Sequence, residues 1–261
     1  MNHAITAVIK KDFRGITANR RLFLSLLIVP IVLTVFLPGM FITIAHFMPE
    51  DEDLQMLLEL LPRSSWASTM ELTVTGLIFN NILPVFFLMI PIMASSIMAA
   101  SSFVGEKEKH TLETLLYSPL TLGQIFQAKI LASFLMSMTV SLISFVVMLT
   151  VVELEVFLLM GTLLLPSANW PVILLLLSPA VSMIAVTLIV RGSAKAQSVE
   201  ESQQGAVFMI IPVLLLIVGQ FTGVLLVSLW ILLGLSLLCV LLALFLLKKA
   251  AGRFTYEMLL Q

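Results

Sequence analysis

Six long apolar runs constrain this chain more than any other feature of its sequence. Each run has about 20 residues or more, which is enough for an α-helix to cross the hydrocarbon core of a membrane. Hydrophobic residues make up 60% of the 261 residues and charged residues 11%, whereas soluble domains have roughly 45–50% and about 25%. The sequence therefore predicts an all-α polytopic membrane protein and excludes a disordered chain or a soluble domain. The expected spans are residues 22–47, 76–103, 130–152, 172–190, 206–226 and 228–247.

We expect one transmembrane domain over residues 1–261, which begins with an elbow helix at 1–21. Residues 104–129 form the main loop on the same side, and residues 248–261 form a tail. If both termini lie on one side, 13 of the 14 Lys and Arg residues fall there and only Arg63 lies opposite. The excess of basic residues in cytoplasmic segments then predicts that both termini are cytoplasmic in a cell (plasma) membrane.

Two stretches do not fit a simple count of spans. Val156–Leu165 is apolar but has only ten residues. Ten helical residues rise about 15 Å, half of the hydrocarbon core, so we interpret this run as a re-entrant or interfacial segment. Ala206–Leu247 is too long for one span, and the polar and glycine residues near position 220 predict a tight helical hairpin. Trp170 falls at an expected outer boundary, where aromatic side chains anchor spans.

The first 21 residues predict an amphipathic helix that lies in the membrane interface. Its apolar residues recur at helical spacing, and its basic residues lie on the opposite face, next to anionic lipid. Such a helix either anchors the topology or forms an elbow that leads into the first span. The apolar residues are Ile5, Val8, Ile9, Phe13 and Ile16, and the basic residues are Lys10, Lys11 and Arg14.

The sequence offers no catalytic or metal-ligating cluster. No Gly-x-x-x-x-Gly-Lys-Ser/Thr phosphate loop occurs, and the three histidines, His3, His46 and His110, are far apart. The net charge is −1, without a long basic face for nucleic acid. We therefore expect no enzyme activity from this chain alone, no cofactor or metal, and no nucleic-acid partner.

Two further classes of membrane protein remain as alternatives. Glu200 and Glu201 resemble the paired glutamates of prenyl-endopeptidase-like intramembrane proteases, but Gly205 stands where that family needs an arginine and no histidine follows. An ion-coupled carrier usually places ionisable groups at mid-membrane. The cores of the six expected spans contain no Lys, Arg, Asp or Glu.

Gly105–Gln127 connects the second and third expected spans. After a charged start, Leu112, Leu115 and Leu116 share one helical face. Pro119 then ends the helix. A short helix of this kind docks on a partner through its leucines, while its glutamates offer ion pairs to basic residues of that partner. The alternative is an interfacial loop helix without a partner.

The stretch contains the pattern Glu106-x-Glu108-x-x-Thr111-Leu112-Glu113-x-Leu115-Leu116-x-x-Pro119. This pattern resembles the signature loop of type-2 ATP-binding cassette permeases. Lys129 follows the loop at the start of the third span, as in similar proteins, whereas His110 replaces a usual glycine. The resemblance implies a coupling helix between spans two and three that contacts a separate ATPase subunit. The residues that carry the resemblance, and the expected ATPase-coupling residues, are Glu106, Glu108, Thr111, Leu112, Glu113, Leu115, Leu116 and Pro119.

The resemblance also implies a function. The chain is expected to be the permease subunit of an exporter that moves a hydrophobic or amphipathic substrate (a drug, lipid or peptide) or sodium out of the cytoplasm. ATP and Mg²⁺ are expected on the partner ATPase. A second permease subunit, identical or different, is expected to complete a dimer.

Polar residues inside the expected spans have two interpretations. Small hydroxyl side chains at spacings of four, four and three residues let a second helix approach closely, or they line a mildly polar pathway. Two adjacent asparagines in the second span point in different directions, so at most one faces a given cavity. These residues are Ser133, Ser137, Ser141 and Ser144, and Asn80 and Asn81.

Overall fold

A computed structural model describes residues 3–47, 69–108, 121–193, 196, 198–221 and 228–251. Every regular element among these residues is a helix. Within this part of the chain six helices are long and apolar enough to cross a membrane, which confirms the prediction of an all-α polytopic protein with six spans. These spans are Leu26–Phe47, Met70–Glu106, Gly123–Met160, Asn169–Gly192, Val199–Gln220 and Leu229–Ala250.

Several spans consist of consecutive helical segments, and three of them contain a π-helical turn. The elbow helix is His3–Ala18. The first span comprises Arg20–Ile31, π-helical Val32–Phe36 and Leu37–Phe47, and the second comprises Met70–Leu77, π-helical Ile78–Ile82, Leu83–Phe87 and Met89–Glu108. The third span is the single helix Leu122–Met160, and the fourth comprises Asn169–Val172, π-helical Ile173–Leu177 and Ser178–Ser193. The fifth comprises Val199–Gln203, the 3₁₀ turn Gln204–Ala206 and Val207–Phe221, and the sixth is the single helix Leu229–Ala251.

The third span is longer than a membrane requires. Its 39 residues rise about 58 Å, roughly twice the thickness of the hydrocarbon core. A capping box between Thr121 and Gln124 begins the helix, and Gly161 ends it in the left-handed conformation with a φ of 67°. Val156–Leu165 is not a helix of its own, because residues 156–160 continue this helix and 163–167 are irregular; its re-entrant or interfacial placement stays a prediction.

The second span lies at the centre of the bundle. Of its most apolar 18 residues 83% are buried, compared with 61% in the fourth span and 17–22% in the other four. The outward faces of those other spans carry large exposed apolar side chains, such as Phe208 at 77% and Trp230 at 80%. Contact between this much apolar surface and water would be unfavourable, so these faces are suited to contact with lipid or another subunit.

Trp170 holds the start of the fourth span against the second and third. Its side chain is fully buried. Its ring centroid lies 5.5 Å from that of Phe79, 5.6 Å from that of Phe87 and 5.1 Å from that of Phe145. These are ordinary distances for packed aromatic pairs. Trp170 thus lies at the start of the fourth span, as expected, but its ring packs in the protein core and not against the membrane interface.

Candidate functional site

The elbow helix packs against the start of the third span and the end of the second. Lys11 and Lys129 lie at this end of the bundle, and Lys248 of the sixth span lines a cleft there together with Gln127 of the third. We call this end of the bundle the basic end. Alanines that are fully buried on the second and third spans, Ala99, Ala100, Ala128 and Ala132, leave room for helices to approach closely here.

Four charged side chains and one serine from three helices meet at the basic end. We call them the charge cluster: Lys11, Asp12, Ser102, Glu106 and Lys129. Lys11 Nζ donates to Glu106 Oε1 at 2.6 Å, and Lys129 Nζ lies 3.3 Å from Glu106 Oε2. Ser102 Oγ donates to Asp12 Oδ2 at 2.5 Å. Lys129 Nζ also donates to the backbone carbonyl of Ser102. Two cations and two carboxylates thus join the elbow helix to the second and third spans.

Burial makes this arrangement energetically demanding. The side chain of Lys129 is 2% exposed and that of Glu106 is 9% exposed, whereas Lys11 is 54% exposed. A buried charge is tolerated only when opposite charges and hydrogen bonds compensate its lost hydration. Lys129 gains a further contact because its Nζ lies 5.3 Å from the ring centroid of Phe103.

Asp12 shows the electrostatic balance within the charge cluster. Burial raises the pKa of its carboxyl group above the ordinary value of 3.8, because desolvation disfavours the charged form. The charge of Lys129 and the hydrogen bond from Ser102 oppose that shift. Removing Lys129 would therefore leave both carboxylates without their most deeply buried cation.

Local sequence spacing explains how the second span contributes two groups. Ser102 and Glu106 are four residues apart in one helix, so both lie on the face toward the elbow helix and the third span. The sequence did not single out Asp12 or Ser102. A usable signal was the position of Ser102, four residues before Glu106, together with the acidic Asp12 among the basic residues of the elbow helix.

The end of the second span also reaches the start of the fifth. Glu108 Oε2 accepts a hydrogen bond from the backbone N–H of Val199 at 3.4 Å. Ser198 caps the same helix, since its Oγ accepts from the N–H of Glu201 at 3.1 Å. The helix end that precedes residues 109–120 is therefore connected to the elbow helix and to the third and fifth spans.

Of the eight expected ATPase-coupling residues, the structure describes two. Glu106 was expected to pair with basic residues of a partner, but the structure places its carboxylate inside the charge cluster. Glu108 is exposed and accepts the Val199 bond. Thr111, Leu112, Glu113, Leu115, Leu116 and Pro119 lie outside the described residues.

The four serines of the third span lie in a buried contact between helices. Ser133, Ser137, Ser141 and Ser144 are at most 5% exposed. Ser137 Oγ lies 2.9 Å from the carbonyl oxygen of Pro91, to which it donates, and 3.0 Å from Ser182 Oγ. The third span thus contacts the second and fourth spans through hydroxyl groups, and this geometry favours helix contact over a pathway.

Asn80 and Asn81 also bind protein groups. Asn80 Oδ1 accepts from the N–H of Ser167 at 2.7 Å, and its backbone carbonyl accepts from Asn169 Nδ2 at 3.0 Å. That carbonyl is available because Pro84, four residues on, has no N–H. The Asn81 carbonyl accepts from Gln220 Nε2 at 2.9 Å. The two asparagines therefore join the second span to the fourth and fifth.

Six spans, an amphipathic N-terminal helix and a buried polar junction at one end define a multi-pass membrane protein. Among the described residues, no group of His, Cys, Asp and Glu has the arrangement of a metal site. A family model described as an ABC-2 family transporter protein matches residues 62–231, more than half of the chain. The chain therefore belongs to the ABC-2 transporter family, and the expected type-2 permease class is confirmed. Neither a curated protein nor a solved structure matched it.

Proposed function

We propose that this chain is the permease subunit of an ATP-driven exporter that moves a hydrophobic or amphipathic substrate, or sodium, out of the cytoplasm. A separate ATPase subunit binds ATP and Mg²⁺, and a second permease subunit completes the pathway. The basic end of the bundle lies at the cytoplasmic face of the plasma membrane. Family membership supports the permease and its ATPase partner, and the one-sided distribution of Lys and Arg supports the orientation.

The observation that carries the proposal is the set of contacts made by the last turn of the second span. Glu106 pairs with the elbow helix and the third span, and Glu108 bonds to the start of the fifth. Residues 109–120, for which the sequence predicts the leucine face, follow directly in the chain. A partner that displaces this segment therefore acts on four parts of the bundle at once.

The charge cluster gives this coupling its stiffness. The pair between Lys129 and Glu106 is buried, so little water screens it and it resists separation of the second and third spans. The buried hydrogen bond from Ser102 to Asp12 joins the elbow helix to the second span. When ATP binding draws two ATPase subunits together, the coupling segment moves, and the elbow helix and third span move with it. The ATPase cycle then shifts the population between inward-facing and outward-facing bundles.

A docking experiment tests the proposal. Leu115→Asp should weaken co-purification of the ATPase subunit by about 2 kcal/mol or more, because an apolar anchor of the interface becomes charged. Thr121→Asp is the matched control. It adds the same charge six positions away, on an exposed residue where aspartate is an equally good helix cap.

Measurements of membrane insertion, ATPase retention and substrate-stimulated hydrolysis complete the experiment. We expect both variants to insert normally and only Leu115→Asp to lose the ATPase. Normal retention and normal stimulation in Leu115→Asp would show that the segment rests on the bilayer, and the proposed coupling would fail.

A further inference from the structure

A cleft of about 760 Å³ opens on the outside of the bundle at the basic end. It lies between the third, fourth and sixth spans, and its volume is in the range of small-molecule sites. Its walls are almost entirely apolar, and Lys248 is the charged residue that the structure places in its lining. The residues that matter here are Phe126, Ile130, Leu131, Met183, Leu247 and Lys248.

The cleft is separate from the charge cluster. Lys129 is adjacent to Ile130 in the third span, but its side chain is buried against Ser102 and Glu106 and does not line the cleft. Among the residues that the structure describes, none that lines the cleft is acidic, and Lys248 is the charged side chain that an occupant meets.

Lys248 and Lys249 are neighbours with different surroundings. Lys248 lines the cleft, whereas Lys249 Nζ lies 5.7 Å from the ring centroid of Phe245. Leu244 and Phe245 are 60% and 61% exposed on the same helix, so the cleft opens onto a surface that suits lipid. Its occupant must supply an apolar chain and a negatively charged end.

We propose that this cleft binds an anionic phospholipid from the membrane leaflet at the basic end. One acyl chain lies along the third and sixth spans, and the headgroup phosphate pairs with Lys248. Charge complementarity selects the anionic headgroup, since a zwitterionic phospholipid offers the lysine no net charge. The site does not depend on the direction of transport or on the transported substrate.

A lipid titration of the full purified chain in detergent tests the site. The probes are phosphatidylglycerol and phosphatidylcholine with identical acyl chains, and thermal stabilisation gives the apparent Kd of each. Lys248→Glu should weaken phosphatidylglycerol binding about five- to tenfold and leave phosphatidylcholine nearly unchanged. Lys249→Glu makes the same charge change at the next residue and should shift either Kd less than about twofold.

Filling the cleft tests the acyl-chain position. Leu131→Trp should weaken binding of both lipids, and Leu131→Phe is the milder substitute if tryptophan disturbs folding. Equal losses in Lys248→Glu and Lys249→Glu would show diffuse surface attraction and overturn the site. Unchanged binding in the filled variants would also overturn it. So would efficient disulfide cross-linking of two chains through Leu131→Cys, which would assign the cleft to a second copy.

Discussion

Lys129→Met tests whether the charge cluster stabilises the bundle as its geometry implies. Methionine keeps most of the side-chain length but removes the only fully buried cation of the cluster. Of the two cluster cations that pair with Glu106, only the 54% exposed Lys11 is then left. Breaking a buried ion pair by deleting one partner costs about 3–5 kcal/mol.

Lys11→Met is the matched comparison, because it removes the other cation that pairs with the same carboxylate. An exposed pair contributes about 1 kcal/mol or less, since water screens it. For a chain of this size, about 1 kcal/mol corresponds to roughly 2–4 °C in Tm. We therefore expect Lys129→Met to lower Tm by roughly 6–20 °C and Lys11→Met by roughly 4 °C or less.

Thermal unfolding of the purified chain in one detergent provides the measurement. The double variant Lys129→Met with Glu106→Gln should recover part of the loss, because it removes a buried negative charge together with its partner. Equal Tm shifts in the two lysine variants, or a double variant no more stable than Lys129→Met, would refute the assigned roles of burial and pairing.

Three further predictions concern packing, pH and topology. Ser137→Leu should reduce the yield of folded protein much more than Val146→Leu, whose site is 61% exposed; size-exclusion chromatography would show the difference, and equal yields would count against the buried contact. Because the pKa of Asp12 is raised in the folded protein, ionising its carboxyl group lowers the stability of the fold. The Tm of the wild type should therefore fall relative to that of Asp12→Asn as the pH rises from about 4, the ordinary pKa of aspartate, towards 7. A parallel pH dependence of both proteins would contradict that sign. In a variant without the native cysteine, a thiol reagent should label Ser65→Cys but not Ser198→Cys from outside intact cells, and the reverse pattern would invert the proposed orientation.

The sequence was sufficient for the number and approximate position of the spans, because each apolar run is long enough to cross a membrane. It was insufficient for the end of the third span. Glu153 and Glu155 are typical of a span boundary, yet the helix continues past both. Their carboxylates find partners on other segments: Glu153 Oε2 accepts from the N–H of Leu164 at 3.1 Å, and Glu155 Oε1 accepts from Thr43 Oγ1 at 3.0 Å.

The charge cluster could not be derived from local patterns. The pair between Lys11 and Glu106 joins residues 95 positions apart, and sequence spacing carries no information about such a contact. The helical serine spacing did predict a common face, because residues three and four apart are neighbours on a helix. The partners of that face could not be predicted, because they depend on how the second and fourth spans pack against the third. The burial of Trp170 depends on the same packing.

The π-helical turn at Ile78–Ile82 sets the rotational phase of the second span. One residue in an α-helix corresponds to about 100° of rotation and 1.5 Å of rise. If the extra residue of this turn were lost, everything from Met89 to Glu108 would rotate by about that angle relative to Asn80. Either the contacts of Asn80 or the pairing of Glu106 would then be misaligned. The turn therefore sets the angle at which the two ends of the second span meet two distant sets of partners. Single-residue deletions there should be tolerated far less than substitutions.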